Sequence, residues 1–430
     1  SASGSTNSEI PHVEFKDLSL KILLLNQCFY PDVAATGQYL TDLAIELVDR
    51  GHEVTVIASD RGYDDPSQRY RRRETWRGVK IIRIRSLSPG KTTRWRRALN
   101  FGSFLLSCAL RLATLPRFDA IVALTSPPLI SFLGALLARV RGGRLFFWVM
   151  DLNPDEAIAA GWLRESSLLA KVLASFLRFS LRSSERVIVL DRFMKQRIVA
   201  KGIAEQKVMV LPPWALSEDV RYDNTGREAF RARHSLAEKF VVMYAGNHSP
   251  CHPLETLLEA ARLLSHHEQL AFCFVGGGSE QERVRTFAAD EGLTNITCLP
   301  YQPLAELSGS LSAADLHVVV MGEPFVGIIH PCKIYNILAV GSPVLYIGPD
   351  VSHITDIAND GPSTIYVAGH GAVESVAQQV LVAANEQPTP RDEHAAVLQG
   401  QFSRANVLPA LINVIESAAA TPNLATVAVW

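Results

Sequence analysis

The 430 residues are 48% hydrophobic and 20% charged with a formal net charge of −1, which excludes extensive disorder and gives no reason to expect a nucleic-acid partner. One core rarely grows to this length, so two domains of about 200 residues each are expected. Cut after Ala215, the halves differ: 31 Lys+Arg against 20 Asp+Glu (+11), then 11 against 23 (−12), so the first half suits an anionic lipid surface or phosphate-bearing acceptor, or is simply a solvated basic face.

Ser1 to Glu9 is small and polar, without the apolar core of a secretory or transit sequence. Leu20 to Leu25 reads as a short strand, followed by a loop and a helix from Gly37 to Arg50 that Gly51 caps. His52 to Ala58 is the next strand, completing one βαβ unit. Gly37 opens its helix, so the backbone around Thr36, Gly37 and Gln38 is a candidate for facing a phosphate or sugar. From the glycine alone, a plain turn into the helix is the better reading. The GxGxxG spacing of dinucleotide enzymes is missing, which argues against NAD.

Ala98 to Leu115 is interrupted by Arg111 and falls short of the roughly 18 charge-free residues a membrane span needs. Flanked by Arg94, Trp95, Arg96, Arg97 and Arg117, it is read either as a helix packed on its own domain or as one lying on a membrane. Ala120 to Leu124, a helix around Pro128 to Arg141, and Arg144 to Met150 form another βαβ unit. Asp151 follows the apolar run Phe146 to Met150, where a carboxylate at a strand's carboxyl end faces a cleft; it could equally cap the next helix, with Asp155 and Glu156 in its first turn. Arg186 to Leu190 and Val208 to Leu211 complete the strands of this half. From Pro212 to Glu238 the periodicity fails, and the domain connector is expected there.

Strands then recur at Phe240 to Ala245, Leu270 to Val275, Asn295 to Leu299, Leu316 to Val320, Val344 to Ile347 and Thr364 to Val367, with helices between them. The expected architecture is α/β: two Rossmann-like domains facing each other across a cleft, spanning 18–215 and 238–400, with 401–430 returning to the first. Tyr244-Ala245-Gly246-Asn247-His248 and Val275-Gly276-Gly277-Gly278-Ser279 each turn a strand into a helix. Three glycines in a row favour close backbone approach to a ligand over a tight turn. In Gly322 to Val344, an acidic residue, a glycine loop, a lysine and a helix start follow one strand. A departing diphosphate needs this equipment: backbone donors at Gly327, Ile328 and Ile329, a helix amino terminus and one cation, Lys333.

The Glu323 to Lys333 loop, the helix ending Ala339-Val340-Gly341 and the strand after Pro343 resemble the donor-site signature of the family 4 retaining glycosyltransferases. The similarity extends to the Gly37 loop, Arg50-Gly51-His52-Glu53-Val54, the two glycine corners and Ala313-Ala314-Asp315. That resemblance implies the glycosyltransferase-B fold, net retention at the anomeric carbon and no metal or other cofactor, with a UDP-sugar as co-substrate. The departing phosphate would help remove the acceptor proton.

It also implies catalytic roles for Glu323, Asp151 and Lys333. The base would lie near Gly276 to Gly278, Tyr301, Gln302 and Leu304, with Asn247 and His248 also lining the donor site. The chain departs from the family in two places. Asn336 stands where a second glutamate is usual, and His248 and His252 stand where an arginine and a lysine commonly grip the diphosphate. The resemblance further implies a saccharide or lipid-linked acceptor of the cell envelope. Scattered cysteines without a CxxC pair suit a reducing compartment, so the expected place is the cytoplasm, at the inner face of the membrane. A nucleotide-sugar 2-epimerase and a non-catalytic nucleotide-sugar-binding subunit share this architecture and stand as alternatives.

Overall fold

The computed structural model describes residues 19–32, 34–62, 67–85, 94–215, 220–360, 365–386 and 400–420. The polar start at Ser1 to Glu9, the side chains of Arg94 to Arg97, positions 216–219 of the expected connector, Thr364 at the start of the last expected strand, and 421–430 of the C-terminal segment lie outside that description.

The first half runs β1 (Lys21–Leu25), α1 (Ala35–Asp49), β2 (Glu53–Ser59), β3 (Arg73–Trp76), β4 (Val79–Ile84), α2 (Arg94–Leu112), β5 (Ala120–Ala123) and α3 (Ile130–Arg141). It continues through β6 (Arg144–Trp148), α4 (Asp155–Ala159), α5 (Leu168–Ser183), β7 (Arg186–Val189), α6 (Arg192–Ala200) and β8 (Val208–Val210). These strands form one sheet in the order β3-β4-β2-β1-β5-β6-β7-β8, parallel except for β3. The apolar run of β1 is explained by burial on both faces. Ile22 and Leu24 pack with Leu40, Leu43 and Leu47 of α1, while Leu23 and Leu25 pack with Phe104 and Cys108 of α2. The β3–β4 hairpin was not read from the sequence. Its turn is Arg77-Gly78, both at positive φ (45° and 79°), a geometry suited to a two-residue hairpin loop.

The second half runs α7 (Asn224–Arg233), β9 (Phe240–Asn247), α8 (Glu255–Leu263), β10 (Leu270–Gly277), α9 (Gln281–Asp290), β11 (Ile296–Leu299), α10 (Leu307–Ser312) and β12 (Leu316–Val320). Then come α11 (Lys333–Val340), β13 (Val344–Ile347), α12 (His353–Asp360), β14 (Ile365–Ala368), α13 (Val373–Asn385) and α14 (Arg404–Ala420). The second sheet is parallel throughout, in the order β11-β10-β9-β12-β13-β14.

The stretch from Pro212 to Glu238 is not all connector, because α7 lies within it. The Asp223 carboxylate caps α7 by accepting from Gly226 N–H (3.0 Å), and Arg227 and Arg231 both pair with Asp315. Gly226 and Gly309 allow α7 and α10 to touch: a Cβ on either would lie 2.6 Å from the other's Cα. Helix α14 packs on the first sheet. Leu408, Leu411, Ile412 and Ile415 join the core of α1, and Glu416 reaches His52 (2.8 Å) and Arg50 (3.1 Å). No described helix is long and apolar enough to cross a membrane.

Each sheet reverses its winding at one place, between β1 and β5 in the first and between β9 and β12 in the second. Crevices for ligands form at such points, beyond the strands' carboxyl ends. The loops from Asn26 and Leu124 flank the first of these points, and those from Asn247 and Met321 flank the second.

Candidate functional site

Lys333 is the first residue of α11, at the second sheet's reversal point. Its Nζ lies 3.5 Å from the centroid of the Tyr244 ring and beside Gly246, where a Cβ would stand 3.4 Å from Nζ. The ammonium is buried and has no hydrogen-bond partner. Burial lowers its pKa to about 7, since a charged amine without a counter-ion is costly to desolvate. The histidines beside it do not replace the missing arginine and lysine as cations. Burial first, and then the Lys333 charge, lowers His248 to about 4 and His252 to about 3, so both are neutral at physiological pH.

Packing between neighbouring strands requires two of the three glycines, Gly276 and Gly278. At positive φ, a Cβ on Gly276 would fall 2.0 Å from Gly246 O, and one on Gly278 2.1 Å from His248 O and 2.5 Å from Asn247 Oδ1. They let the corners of β9 and β10 pack against each other, with His248 N–H donating to Gly277 O (2.7 Å). Tyr301, 52% exposed, stands at the edge of this corner, where Gly277 leaves room for its ring, and Leu304 is 54% exposed. The Gln302 amide donates to Pro300 O (2.9 Å). Of these residues, Tyr301 is brought beside Lys333's corner, close to Tyr244 and Gly277.

The expectation that Gly327 to Ile329 present free backbone donors is corrected. The N–H groups of Ile328 and Ile329 both donate to Phe325 O (2.9 and 3.1 Å), and Gly327, at φ +69°, packs against the backbone of Phe193 on α6. This loop is a domain contact. In the first domain, Gly37 and Gln38 likewise donate to Ala34 O (2.8 and 3.1 Å), and a Cβ on Gly37 would lie 3.2 Å from Cys28. Glycine there fits the loop to its own helix, and Asn26 Nδ2 reaches Thr36 Oγ1 at 3.4 Å.

Asp151 does not cap α4, whose N-cap residue is Pro154 and carries no side-chain bond. Burial, reinforced by the Glu156 charge, raises the Asp151 carboxyl well above its usual range, and burial raises Glu156 as well. The next residue, Leu152, donates to Ile328 O across the domain boundary (2.8 Å). Asp151 and Glu156 therefore stand against the loop that begins with Glu323, with α4 touching the Glu323–Phe325 turn. Glu323 is exposed and lines an open recess of about 530 Å³ with Pro250, Thr256, Phe325 and His370. Asn336 is buried on α11, away from solvent.

The sequence gives Glu156 only a place in the first turn of a helix and does not single out Asp191, His330 or His353. The signal for Glu156 was a second acid within the Asp151 to Glu156 turn. The other three sit on separate elements, with no motif to link them. Asp191, His330 and His353 place candidate metal-ligand atoms within 4.8 Å of one another. However, the two imidazoles stack (3.8 Å between centroids, 22°) and His330 Nδ1 is hydrogen-bonded to Asp191 at 2.7 Å, so their lone pairs do not converge on one point.

Two α/β domains in succession, each built on a largely parallel sheet with one reversal of winding, are the architecture of the glycosyltransferase-B class. Residues 35–214 match the Glycosyl transferase 4-like domain, and 226–394 match the Glycosyl transferases group 1 domain. The chain belongs to the family 4 glycosyltransferases and is a transferase.

Among curated relatives, the putative colanic acid biosynthesis glycosyl transferase WcaI of Escherichia coli (strain K12) is 27% identical over 416 residues, covering 92% of this chain and 100% of that protein. The probable glycosyltransferase WbjE of Pseudomonas aeruginosa is 26% identical over 259 residues, 60% of this chain and 64% of that one. Of solved structures, Anabaena HepE in complex with UDP-glucose matches at a TM-score of 0.68 and 15% identity, covering 93% of this chain and 100% of that chain. WaaG, a glycosyltransferase involved in lipopolysaccharide biosynthesis, matches at 0.67 and 16%, covering 92% and 99%.

Proposed function

We propose that this glycosyltransferase transfers a sugar from a UDP-sugar, with retention and without a metal or other cofactor, to a saccharide or lipid-linked acceptor in polysaccharide assembly. The observation that carries this reading is the buried, unpartnered ammonium of Lys333 at the second sheet's reversal point. A diphosphate entering beside Gly246 supplies the missing counter-charge, and Lys333 stabilises it as it leaves. Entry requires the corner sealing Nζ to yield. The anomeric carbon–oxygen bond to the diphosphate breaks, the acceptor oxygen bonds to that carbon, and the acceptor's proton passes to the departing phosphate. Support for UDP comes from HepE, which binds UDP and UDP-glucose, and support for polysaccharide assembly from the name of WcaI.

The test is a thermal-shift screen with UDP and GDP, followed by UDP release from a panel of UDP-sugars in EDTA. UDP stabilisation and slow metal-free release of UDP are expected. A requirement for Mg²⁺ would remove the metal-independent part of the reading. A changed sugar would indicate an epimerase, and tight binding without turnover a non-catalytic subunit.

The cytoplasmic membrane surface is the proposed place of action. Helices α2, α3 and α5 pack side by side on one face of the first domain, and their described side chains include six Arg or Lys (one, two and three) and no Asp or Glu. Leu106, Leu110, Val140, Leu168 and Leu169 are exposed on them. Apolar side chains among arginines suit an anionic bilayer, with each cation near the surface contributing about 1 kcal/mol. The protein should sediment with vesicles of phosphatidylcholine and phosphatidylglycerol but not with phosphatidylcholine alone, and Leu106→Glu with Leu110→Glu should release it. Equal recovery with both vesicle types, or with neither, would refute the membrane contact.

A further inference from the structure

Helix α6 of the first domain is clamped onto the second domain. Outside, the Arg192 guanidinium donates to both oxygens of Asp356 (2.6 and 2.9 Å), and Arg197 Nε donates to Val326 O (2.6 Å). Inside runs one buried hydrogen-bond chain. The Asp191 carboxylate accepts Met194 N–H at Oδ1 (2.7 Å), capping α6, and contacts His330 Nδ1 at Oδ2 (2.7 Å). His330 Nε2 in turn lies 2.7 Å from the Tyr335 hydroxyl, and Tyr335 sits on α11, two residues beyond Lys333.

The protonation pattern of this chain follows from chemistry. Burial opposes ionisation of Asp191, but its hydrogen bond with His330, the His330 and His353 rings beside it and the Met194 N–H lower it to about 2. An ionised carboxylate only accepts, so His330 Nδ1 carries the hydrogen; in the neutral ring Nε2 then accepts from the Tyr335 hydroxyl. His353, stacked on His330, has its pKa lowered well below the usual value by burial and then by His330.

Capping α6 accounts for Asp191 Oδ1 but not for the buried run from Oδ2 through His330 to Tyr335. An apolar core of the same shape would spare the cost of desolvating Asp191, and the chain ends on the helix that carries the donor's cation. We propose that Asp191 and His330 are positioning residues: through Tyr335 they fix α11 and Lys333 relative to the first domain, so that a donor held by the second domain stands in register with the first-domain side of the cleft. This inference rests on the proposed donor role of Lys333.

The test uses the full chain, with UDP binding by calorimetry and UDP-sugar hydrolysis on the sugar that the wild type turns over. Breaking the tie displaces the reacting groups without touching the nucleotide, so Asp191→Asn and His330→Ala should lower kcat about tenfold. UDP Kd and donor KM should stay within about twofold, as expected when only a transition-state contribution is lost. Tyr335→Phe should fall between these and the wild type. His330→Gln, whose amide can both donate and accept, should recover most of kcat. Unchanged kcat with only a lower Tm in every variant would reduce the chain to a structural role and overturn the inference. So would one equivalent of Zn²⁺ bound by the wild type and lost in His353→Ala, which would make the cluster a metal site. Failure of the wild type to bind UDP would instead remove the donor reading itself.

Discussion

Lys333→Met is expected to abolish UDP binding while raising the stability of the unliganded protein at neutral pH. Methionine has nearly the length of lysine and keeps a favourable contact with the Tyr244 ring, but it removes an ammonium buried without a counter-ion. The folded-state pKa of about 7 lies below the ordinary lysine value of 10.5. At about 1.4 kcal/mol per unit, the buried charge costs the apo protein on the order of a few kcal/mol. The sign of the pH dependence follows from proton binding. Between about 7 and 10.5 the unfolded chain holds a proton that the folded chain has released, so wild-type stability should rise with pH across that window. Lys333→Met should lack this slope. UDP affinity of the wild type should weaken about tenfold per pH unit above 7, because only the ammonium binds the diphosphate. Calorimetry with UDP and Tm against pH measure both effects. A Met variant that binds UDP as the wild type does would sink the donor role of Lys333.

Asp151→Asn is expected to cost about a hundredfold in turnover with UDP affinity unchanged, the size of effect seen when one charge-stabilising group is removed. Asp151 follows the carboxyl end of β6 beside Glu156, and its neighbour Leu152 donates to Ile328 O of the second domain. A sugar losing its leaving group gains positive character at the ring, which an ionised carboxylate stabilises. Burial and Glu156 raise the folded-state pKa of Asp151, so turnover should climb with pH through a range well above that of an ordinary aspartate. Since Lys333 loses its proton above about 7, kcat/KM should be bell-shaped, and Asp151→Asn should lose the acidic limb only. Stability provides a second reading. The folded chain holds the carboxyl proton where the unfolded one does not, so wild-type stability should fall as pH rises through that window, and the Asn variant should not follow it. An Asn variant with wild-type turnover would exclude Asp151 from the chemistry.

The strands were legible because parallel strands covered on both faces are written as apolar runs: Leu316 to Val320 and Val344 to Ile347 coincide with β12 and β13. The β3–β4 hairpin was not, since Arg73 to Trp76 is an edge strand rich in charge. Helix α7 was hidden for a similar reason: it buries only Phe230 and Arg231, and its contacts with Asp315 and Gly309 are invisible until α10 lies beside it. At the site, residue types could be read but not their partners. The glycines at the end of β10 point to a ligand in the sequence because nothing there says that β9 lies next to β10, which is what forces Gly276 and Gly278. The Gly327 loop resembles a phosphate cradle in the sequence for the same reason, since its neighbour Phe193 is more than a hundred residues away along the chain. Lys333 was legible as a cation, but its burial depends on Tyr244 and Gly246 from another strand.

The return of α14 to the first sheet means that the two units differ in how they are cut from the chain. The second sheet is built from one continuous stretch, whereas the first needs Leu408 to Ile415 from the far end to complete the core around α1. A chimaera made by joining two relatives at the connector would therefore pair each first-domain core with the wrong closing helix. An exchange that moves residues up to about 385 and leaves α14 with its own first domain respects both cores, and it is the arrangement in which donor preference could be transplanted between relatives.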